Sequence, residues 1–263
     1  MNTILITGAG TGIGAATARQ LALLEGLRLI LVGRRLEPLK EVKNALPGSD
    51  NHVAVSLDVS DAEDLVEWLG SKEAALDVHP LVGVFANAGV GGPNEFGAQD
   101  RWEEIIRINL TGTYNTLMAC KPHFNAAPGI KHALVTSSVL ARFGVPGQTA
   151  YVASKTGLLG LVRSLAVEWS PEGIMVNALC PGWVETEMAQ ASIQAMADAQ
   201  GISYEDSKAQ QEALLPASRV SSPKEMAQWV DFMFSGLAEG DSRSRLATFT
   251  GQALDVNSGS WMG

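Results

Sequence analysis

Short, nearly uninterrupted apolar runs alternate with longer amphipathic segments along most of the chain. Asn2–Thr7, Arg28–Val32, His52–Leu57, Leu81–Ala86, Lys131–Thr136 and Ile174–Leu179 carry the β-rich runs, and a last one falls at Ala253–Val256. Between them, 12–25, 36–45, 61–75, 101–126, 148–169 and 223–236 have helical spacing. A strand apolar throughout must be covered on both faces, and strands that alternate with helices pair in parallel. The pattern predicts an α/β fold: a doubly wound parallel sheet of about seven strands with helices on both faces. One domain is expected to span 1–263. Residues 186–216 break the alternation and read as one or two short helices around Gly201 that leave the sheet and return, a small lid. Residues 237–250 are polar and aperiodic, the marks of a surface loop.

The first strand runs directly into Thr7-Gly8-Ala9-Gly10-Thr11-Gly12-Ile13-Gly14. The glycines can be read through Gly8, Gly12 and Gly14, or through Gly10, Gly12 and Ala15. The physical requirement is the same. Small residues let the backbone approach a pyrophosphate, and the following helix offers it free N–H groups. A glycine turn lacking the strand before it and the helix after it would be packing only; here both are expected. No Gly-Lys-Ser/Thr follows, which excludes a P-loop. Arg34, Asn87, Ser138 and Pro181-Gly182 also fall at carboxyl ends of expected parallel strands. Open α/β sheets bind ligands at that edge, so the five positions point to one crevice.

Dinucleotide folds that prefer NAD place a carboxylate after the second strand, against the ribose 2′-hydroxyl. That place reads Val32-Gly33-Arg34-Arg35. Guanidinium forks suit a 2′-phosphate. A charge-assisted bond worth about 1.5–3 kcal/mol gives a roughly ten- to hundredfold preference. The expectation is NADP(H) over NAD(H); the plainer reading is a basic pair solvated at a helix start.

Tyr151 and Lys155 lie one turn apart on the helix expected over 148–169, on a stripe continued by Leu158, Val162 and Leu165. A lysine on a buried stripe is costly unless it has a partner or a task. A free phenol, with a pKa of ~10, is a poor base at neutral pH, and a neighbouring ammonium favours the phenolate. Tyr151 can then give a proton to a ketone oxygen or take one from an alcohol, while Ser138 holds the same oxygen. Alone, Tyr-x-x-x-Lys is commonplace. Beside the glycine turn it points to a nicotinamide-dependent oxidoreductase.

The bulk numbers fit and exclude alternatives. The chain is 46% hydrophobic and 18% charged, enough to bury a large core. Its net charge of -9 argues against nucleic acid and anionic lipid as partners. Cys120 and Cys180 lack metal-like spacing and read as reduced, buried thiols of a cytoplasmic protein. The scattered His52, His79, His123 and His132 predict no metal site. Neither a signal peptide nor a membrane span is legible.

In Thr7-Gly-x-x-x-Gly-x-Gly14, Asn87-Ala88-Gly89, Asn109, Ser138, Tyr151-x-x-x-Lys155 and Pro181-Gly182 through Thr186, the chain resembles the short-chain dehydrogenase/reductase family, in its compact, Rossmann-like, single-domain branch. The match runs over nearly the whole chain. It implies that Gly8, Gly10, Thr11, Gly12, Ile13 and Gly14 form the cofactor turn, and that Asn87, Ala88 and Gly89 line the cleft. Asn109 is then a fourth catalytic member, bending its helix and holding a water that leads to Lys155. Lys155 also binds the nicotinamide ribose. Asp58, with Val59, lies beside the adenine. Pro181, Gly182 and Val184 also bind the cofactor, and Thr186 contacts its carboxamide. Without the resemblance, Asn87, Asn109 and Asp58 would be turn or cap residues. The family's usual Asn-Asn-Ala-Gly reads Ala86-Asn87-Ala88-Gly89 here. The resemblance also implies a homotetramer, or a homodimer, with the 101–126 helix and Ala253–Gly263 as candidate contacts.

The variable lid and its neighbours Val90, Val139, Phe143, Val145, Trp183, Met188 and Met196 suggest a partly apolar ketone or secondary alcohol as substrate; several of them, the methionines above all, could equally pack the lid onto the sheet. Arg142 reads either as an anchor for an acidic substrate group or as a solvated cation. Cys180–Met188, the long lid and Thr250–Asp255 are similar to aromatic polyketide ketoreductases, which keeps open a 3-oxoacyl or polyketide thioester. Against it, carriers and CoA are anionic, and the stretch after the Tyr151 helix reads Ser170-Pro171-Glu172-Gly173. A catalytically silent dinucleotide-binding regulator, and epimerase or dehydratase chemistry, are the other classes such a fold permits.

Overall fold

The structure, a computed structural model, describes residues 1–127, 129–234, 237 and 246–263. Strands β1 (Asn2–Thr7), β2 (Leu27–Gly33), β3 (Val53–Ser56), β4 (Leu81–Ala86), β5 (Lys131–Thr136), β6 (Ile174–Pro181) and β7 (Ala253–Val256) form one sheet in the order β3-β2-β1-β4-β5-β6-β7. Every adjacent pair is parallel. The strand order reverses between β1 and β4, where neighbouring crossovers leave for opposite faces and a crevice opens at the carboxyl ends.

The helices are α1 (Gly12–Leu21), α2 (Leu36–Asn44), α3 (Ala62–Leu69), α4 (Trp102–Ile106), α5 (Gly112–Cys120), α6 (Thr149–Trp169), α7 (Glu187–Gln200), α8 (Tyr204–Ala213) and α9 (Pro223–Phe234). Alternate strand residues serve the two faces. Ile4, Ile6, Leu29, Leu31, Phe85 and Leu134 pack with residues of α1, α2 and α9; Leu5, Ile30, Val32, Val84, Val135 and Val176 pack with residues of α3, α5 and α6. Removing each such side chain from water is worth about 1.5–3 kcal/mol, so the core fixes the register that aligns the carboxyl ends.

Some expected elements end early. The 12–25 helix stops at Leu21, and the 61–75 helix at Leu69, before Gly70. The 101–126 helix is interrupted by a π turn at Arg107–Thr111 and ends in a 3-10 stretch at Lys121–Ala126, where Pro122 stands in the first turn. A Cβ on Gly112 would meet Val59 Cγ2 at 2.6 Å, so α5 lies close against the chain after β3. The excursion after β6 holds two helices, α7 and α8, separated at the left-handed Gly201. A parallel bridge between Val184 and Ser221 closes its base, through bonds from Glu185 N to Ser221 O and Ser221 N to Trp183 O. The expected 237–250 surface loop is in part buried: Leu237 is in the core and Leu246 and Phe249 pack against it. Positions 238–245, and 235–236 at the end of the expected 223–236 helix, lie outside the described residues.

Candidate active site

Helix α1 starts behind Thr11, whose side chain makes no cap bond. Gly8 and Gly12 adopt left-handed φ of 65° and 53°, which turns the chain sharply between β1 and α1. Gly8, Thr11, Gly12 and Ile13 line a cavity of about 660 Å³. Gly10 and Gly14 do not: Gly10 backs onto Pro38, and Gly14 lies against the Gly8 carbonyl. An uncapped helix amino end beside side-chain-free backbone fits a dinucleotide pyrophosphate.

Asn87 ties three strand ends together. Its backbone N donates to Thr7 Oγ1 (3.0 Å), its Nδ2 to the Thr7 carbonyl (3.2 Å), and its Oδ1 accepts from Thr136 Oγ1 (3.0 Å). Both turn duty and the cleft wall are therefore visible in one residue, since Asn87, Ala88 and Gly89 also line the cavity.

Tyr151 and Lys155 project from α6 into this cavity, and Ser138, just beyond β5, meets them there. Ser138 faces the Tyr151 phenol closely enough to favour its ionised form, and its Oγ accepts from Leu140 N (3.1 Å). Lys155 is 4% exposed; its Nζ donates to the Thr136 carbonyl (2.8 Å) and lies 5.6 Å from the centre of the Tyr151 ring. Burial pushes the ammonium down to about 8. Burial also pushes the Tyr151 phenol up, and Ser138 only partly opposes this. The expected lowering of Tyr151 by Lys155 is thus not met: desolvation raises the phenol, and the ammonium is engaged by the Thr136 carbonyl.

Asn109 is fully buried in the π turn, behind the cavity wall. Its Oδ1 accepts from Val90 N (2.8 Å), and its Nδ2 donates to Val90 O (2.9 Å) and to Ser154 Oγ (3.2 Å). The helix departs from α geometry at this residue, as the resemblance implied; its carbonyl accepts from Thr113 Oγ1 (2.7 Å). A Cβ on Gly89 would stand 3.2 Å from Asn109 Oδ1 and 3.5 Å from Lys155 Nζ, so the three crowd one corner.

Along the same edge of the sheet, Arg34 and Arg35 are exposed beyond β2, with Arg35 preceding α2. Burial raises the Asp58 carboxyl, but hydrogen bonds from Ser60 and the fields of Arg107 and Arg34 outweigh it and leave it lowered. Val59 is buried against Gly112. None of these four lines the main cavity.

The same cavity is lined by Val90, Val139, Phe143, Val145, Trp183 and Met188, and by Pro181, Gly182, Val184 and Thr186, the last of which abuts Gly12. Met196 does not line it. Arg142 is neither a substrate anchor nor a solvated cation: its Nε and Nη2 grip Asp255 (3.2 and 2.8 Å), and its guanidinium lies 4.7 Å from the centre of the Trp261 ring. Sequence reading missed Gln148, Gln211, Leu214, Leu215 and Ser260, which also line the cavity. Only Gln148, one helical turn before Tyr151, had a local signal. Among the described residues no group of His, Cys, Asp and Glu could hold a metal ion, and no helix is long and apolar enough to cross a membrane. Cys120 and Cys180 are buried free thiols.

The short chain dehydrogenase family model matches residues 2–197. A Streptomyces coelicolor protein named as a ketoacyl reductase is 32% identical over 260 residues, covering 97% of this chain and 95% of that protein. The crystal structure of levodione reductase superposes with a TM-score of 0.85 at 27% identity, over 98% of this chain and 96% of that one. A structure of actinorhodin polyketide ketoreductase with NADPH gives a TM-score of 0.84 at 30% identity, over 98% and 97%.

Proposed function

The chain belongs to the short-chain dehydrogenase family, and from that premise we propose that it is an NADP(H)-dependent oxidoreductase interconverting a ketone and a secondary alcohol, with Tyr151 as general acid/base. One observation carries the reading: Tyr151, beside Ser138 and one turn from Lys155, stands in the same cavity as the uncapped amino end of α1. Nicotinamide, when bound, supplies or accepts the hydride. In the reducing direction the Tyr151 hydroxyl gives its proton to the carbonyl oxygen as that oxygen gains charge. Burial keeps the phenol protonated at neutral pH, which suits a donor. Ser138 donates to the same oxygen and holds it. The Lys155 ammonium favours the phenolate left behind and would hold the nicotinamide ribose. Asn109 fixes the Val90 segment against α6 through Ser154. In the oxidising direction the same groups run in reverse.

The exposed Arg34 and Arg35, with no carboxylate in Val32–Arg35, support NADP(H) over NAD(H). Asp58 and Val59 on the adenine side, and Thr186 at the carboxamide, complete the cofactor reading. Val139, Phe143, Val145, Trp183 and Met188 favour a partly apolar ketone or alcohol. A 3-oxoacyl or polyketide thioester is the second reading, favoured by the ketoacyl reductase relative and the polyketide ketoreductase structure. A cytoplasmic homotetramer fits the exposed Trp102, Tyr114 and Met118 on α4 and α5; light scattering on the eluting protein checks it.

Tyr151→Phe tests the reading. NADPH oxidation with a ketone panel is expected to vanish while NADPH still binds; turnover that survives the substitution refutes the role. Binding of NADPH without redox change on any ketone would instead favour a silent regulator.

A further inference from the structure

Helix α6 has no side-chain cap of its own: Gln148, just before its first turn, makes no cap bond. We propose that Asn94, in the chain between β4 and α4, supplies that cap from outside and is a positioning residue for Tyr151. Asn94 Oδ1 accepts from Ala150 N (2.8 Å) and from Thr149 Oγ1 (3.0 Å), and Asn94 N donates to the Gly147 carbonyl (2.9 Å). Its Nδ2 donates to Asp100 Oδ1 (3.2 Å). A backbone N–H can only donate, so Ala150 sets which end of the amide faces the helix.

Ala150 is fully buried and immediately precedes Tyr151. The first turn of a helix has unsatisfied N–H groups and is where fraying begins. Tyr151 sits in that turn, whereas Lys155 lies a full turn further in and is anchored on β5 through Thr136. The hydroxyl of Tyr151 must also meet Ser138, which belongs to a different element. Losing the cap therefore loosens the phenol selectively and leaves the lysine and the glycine turn in place. The segment carrying Asn94 touches the lid as well. Gly91 abuts Met188, whose Sδ would lie 2.8 Å from a Cβ at that glycine, and Arg101 Nη1 holds the Gly91 carbonyl (3.0 Å). One short stretch thus braces both the lid and the amino end of α6.

The inference rests on Tyr151 as the acid/base, so Tyr151→Phe runs beside it. Asn94→Ala is expected to lower kcat roughly tenfold or more, as a small misplacement of a reacting group does. The KM for NADPH should stay unchanged. The pH profile of alcohol oxidation should move to higher pH, because the phenol loses its Ser138 partner. Asn94→Asp sets two carboxylates side by side with Asp100 and should also be slow. Asn94→Asp/Asp100→Asn exchanges donor and acceptor and keeps an acceptor on Ala150; Asp100 Oδ1 also accepts from Trp102 N (3.0 Å), a bond the exchange gives up, so the pair should be clearly faster than Asn94→Asp alone. This comparison stands even if Asn94→Ala does not fold. An Asn94→Ala enzyme with the original kcat and pH profile, or an exchanged pair no faster than Asn94→Asp alone, overturns the proposal. If Tyr151→Phe is inactive while Asn94→Ala is not, only the positioning role falls; if Tyr151→Phe keeps its turnover, the functional reading falls and this inference with it.

Discussion

A Cβ placed on Gly14 would stand 2.2 Å from the carbonyl oxygen of Gly8. The obstacle is backbone, so α1 would have to shift off the end of β1 to admit even a methyl group. Gly14→Ala is expected to cost about 1–3 kcal/mol, the usual range for overpacking, and to weaken NADPH binding in the same step. Urea unfolding and fluorescence titration with NADPH read the two effects; loss of stability with unchanged cofactor affinity would separate the turn from the cofactor site.

Arg34 stands exposed beyond β2, where an NAD-preferring fold has a carboxylate. Arg34→Asp should lower kcat/KM for NADPH roughly ten- to hundredfold, the worth of one charge-assisted bond, and raise the ratio for NADH over NADPH. An unchanged ratio would remove the 2′-phosphate assignment.

Burial holds the Lys155 ammonium at about 8 and raises the phenol of Tyr151. Lys155 is charged below about 8 and loses its proton as pH rises through that value, while Tyr151 remains protonated further into alkali. On the proposed mechanism, ketone reduction needs the proton on Tyr151 and the charge on Lys155. Its kcat should therefore be level near neutrality and fall above about 8; a profile flat through that region would dissociate Lys155 from turnover.

His132 on β5 is buried, and burial pushes its imidazole down to about 4 from 6.5. Between those values the unfolded chain binds a proton that the folded chain refuses, so stability falls as pH drops from 6.5 toward 4. The full loss approaches ~3 kcal/mol at about 1.4 kcal/mol per unit. His52 is lowered too, chiefly by burial, and adds in the same direction. Urea midpoints across this range should fall steeply for the unaltered chain and less steeply for His132→Gln.

Arg142 joins the chain after β5 to Asp255 on β7 and stacks on Trp261, next to Ser260 in the cavity wall. Asp255→Ala is expected to cost about 1–3 kcal/mol, the range for a lost charged hydrogen bond, and to raise the KM of the ketone more than it lowers kcat. Equal effects on both constants would move Arg142 closer to the reacting centre.

Much of this architecture was legible because its signals are local. β1, β4, β5 and β7 begin and end where the apolar runs do, since a strand buried on both faces needs a continuous run. Helix ends were less legible. The π turn around Asn109 answers to contacts with Val90 and Ser154 that no window of residues contains. The same distinction holds in the site. Tyr151 and Lys155 announce themselves by helical spacing, and Ser138 by its place at a strand end. Asn94 reaches a helix 56 residues away, Arg142 pairs with a carboxylate 113 residues on, and Leu214 and Leu215 enter the cavity only through the fold of the lid. Tyr151 shows a further limit: its neighbour and its buried stripe were readable, but not that burial would raise the phenol.

The bridge between Val184 and Ser221 staples the two ends of the α7–α8 excursion together at the rim of the sheet. An insertion closed at its own neck can change length and sequence without tugging on β6 or β7. The glycine turn and the knot at Asn87 then form a fixed socket, and the part of the excursion beyond Thr186, which abuts Gly12, is the stretch free to vary without disturbing it.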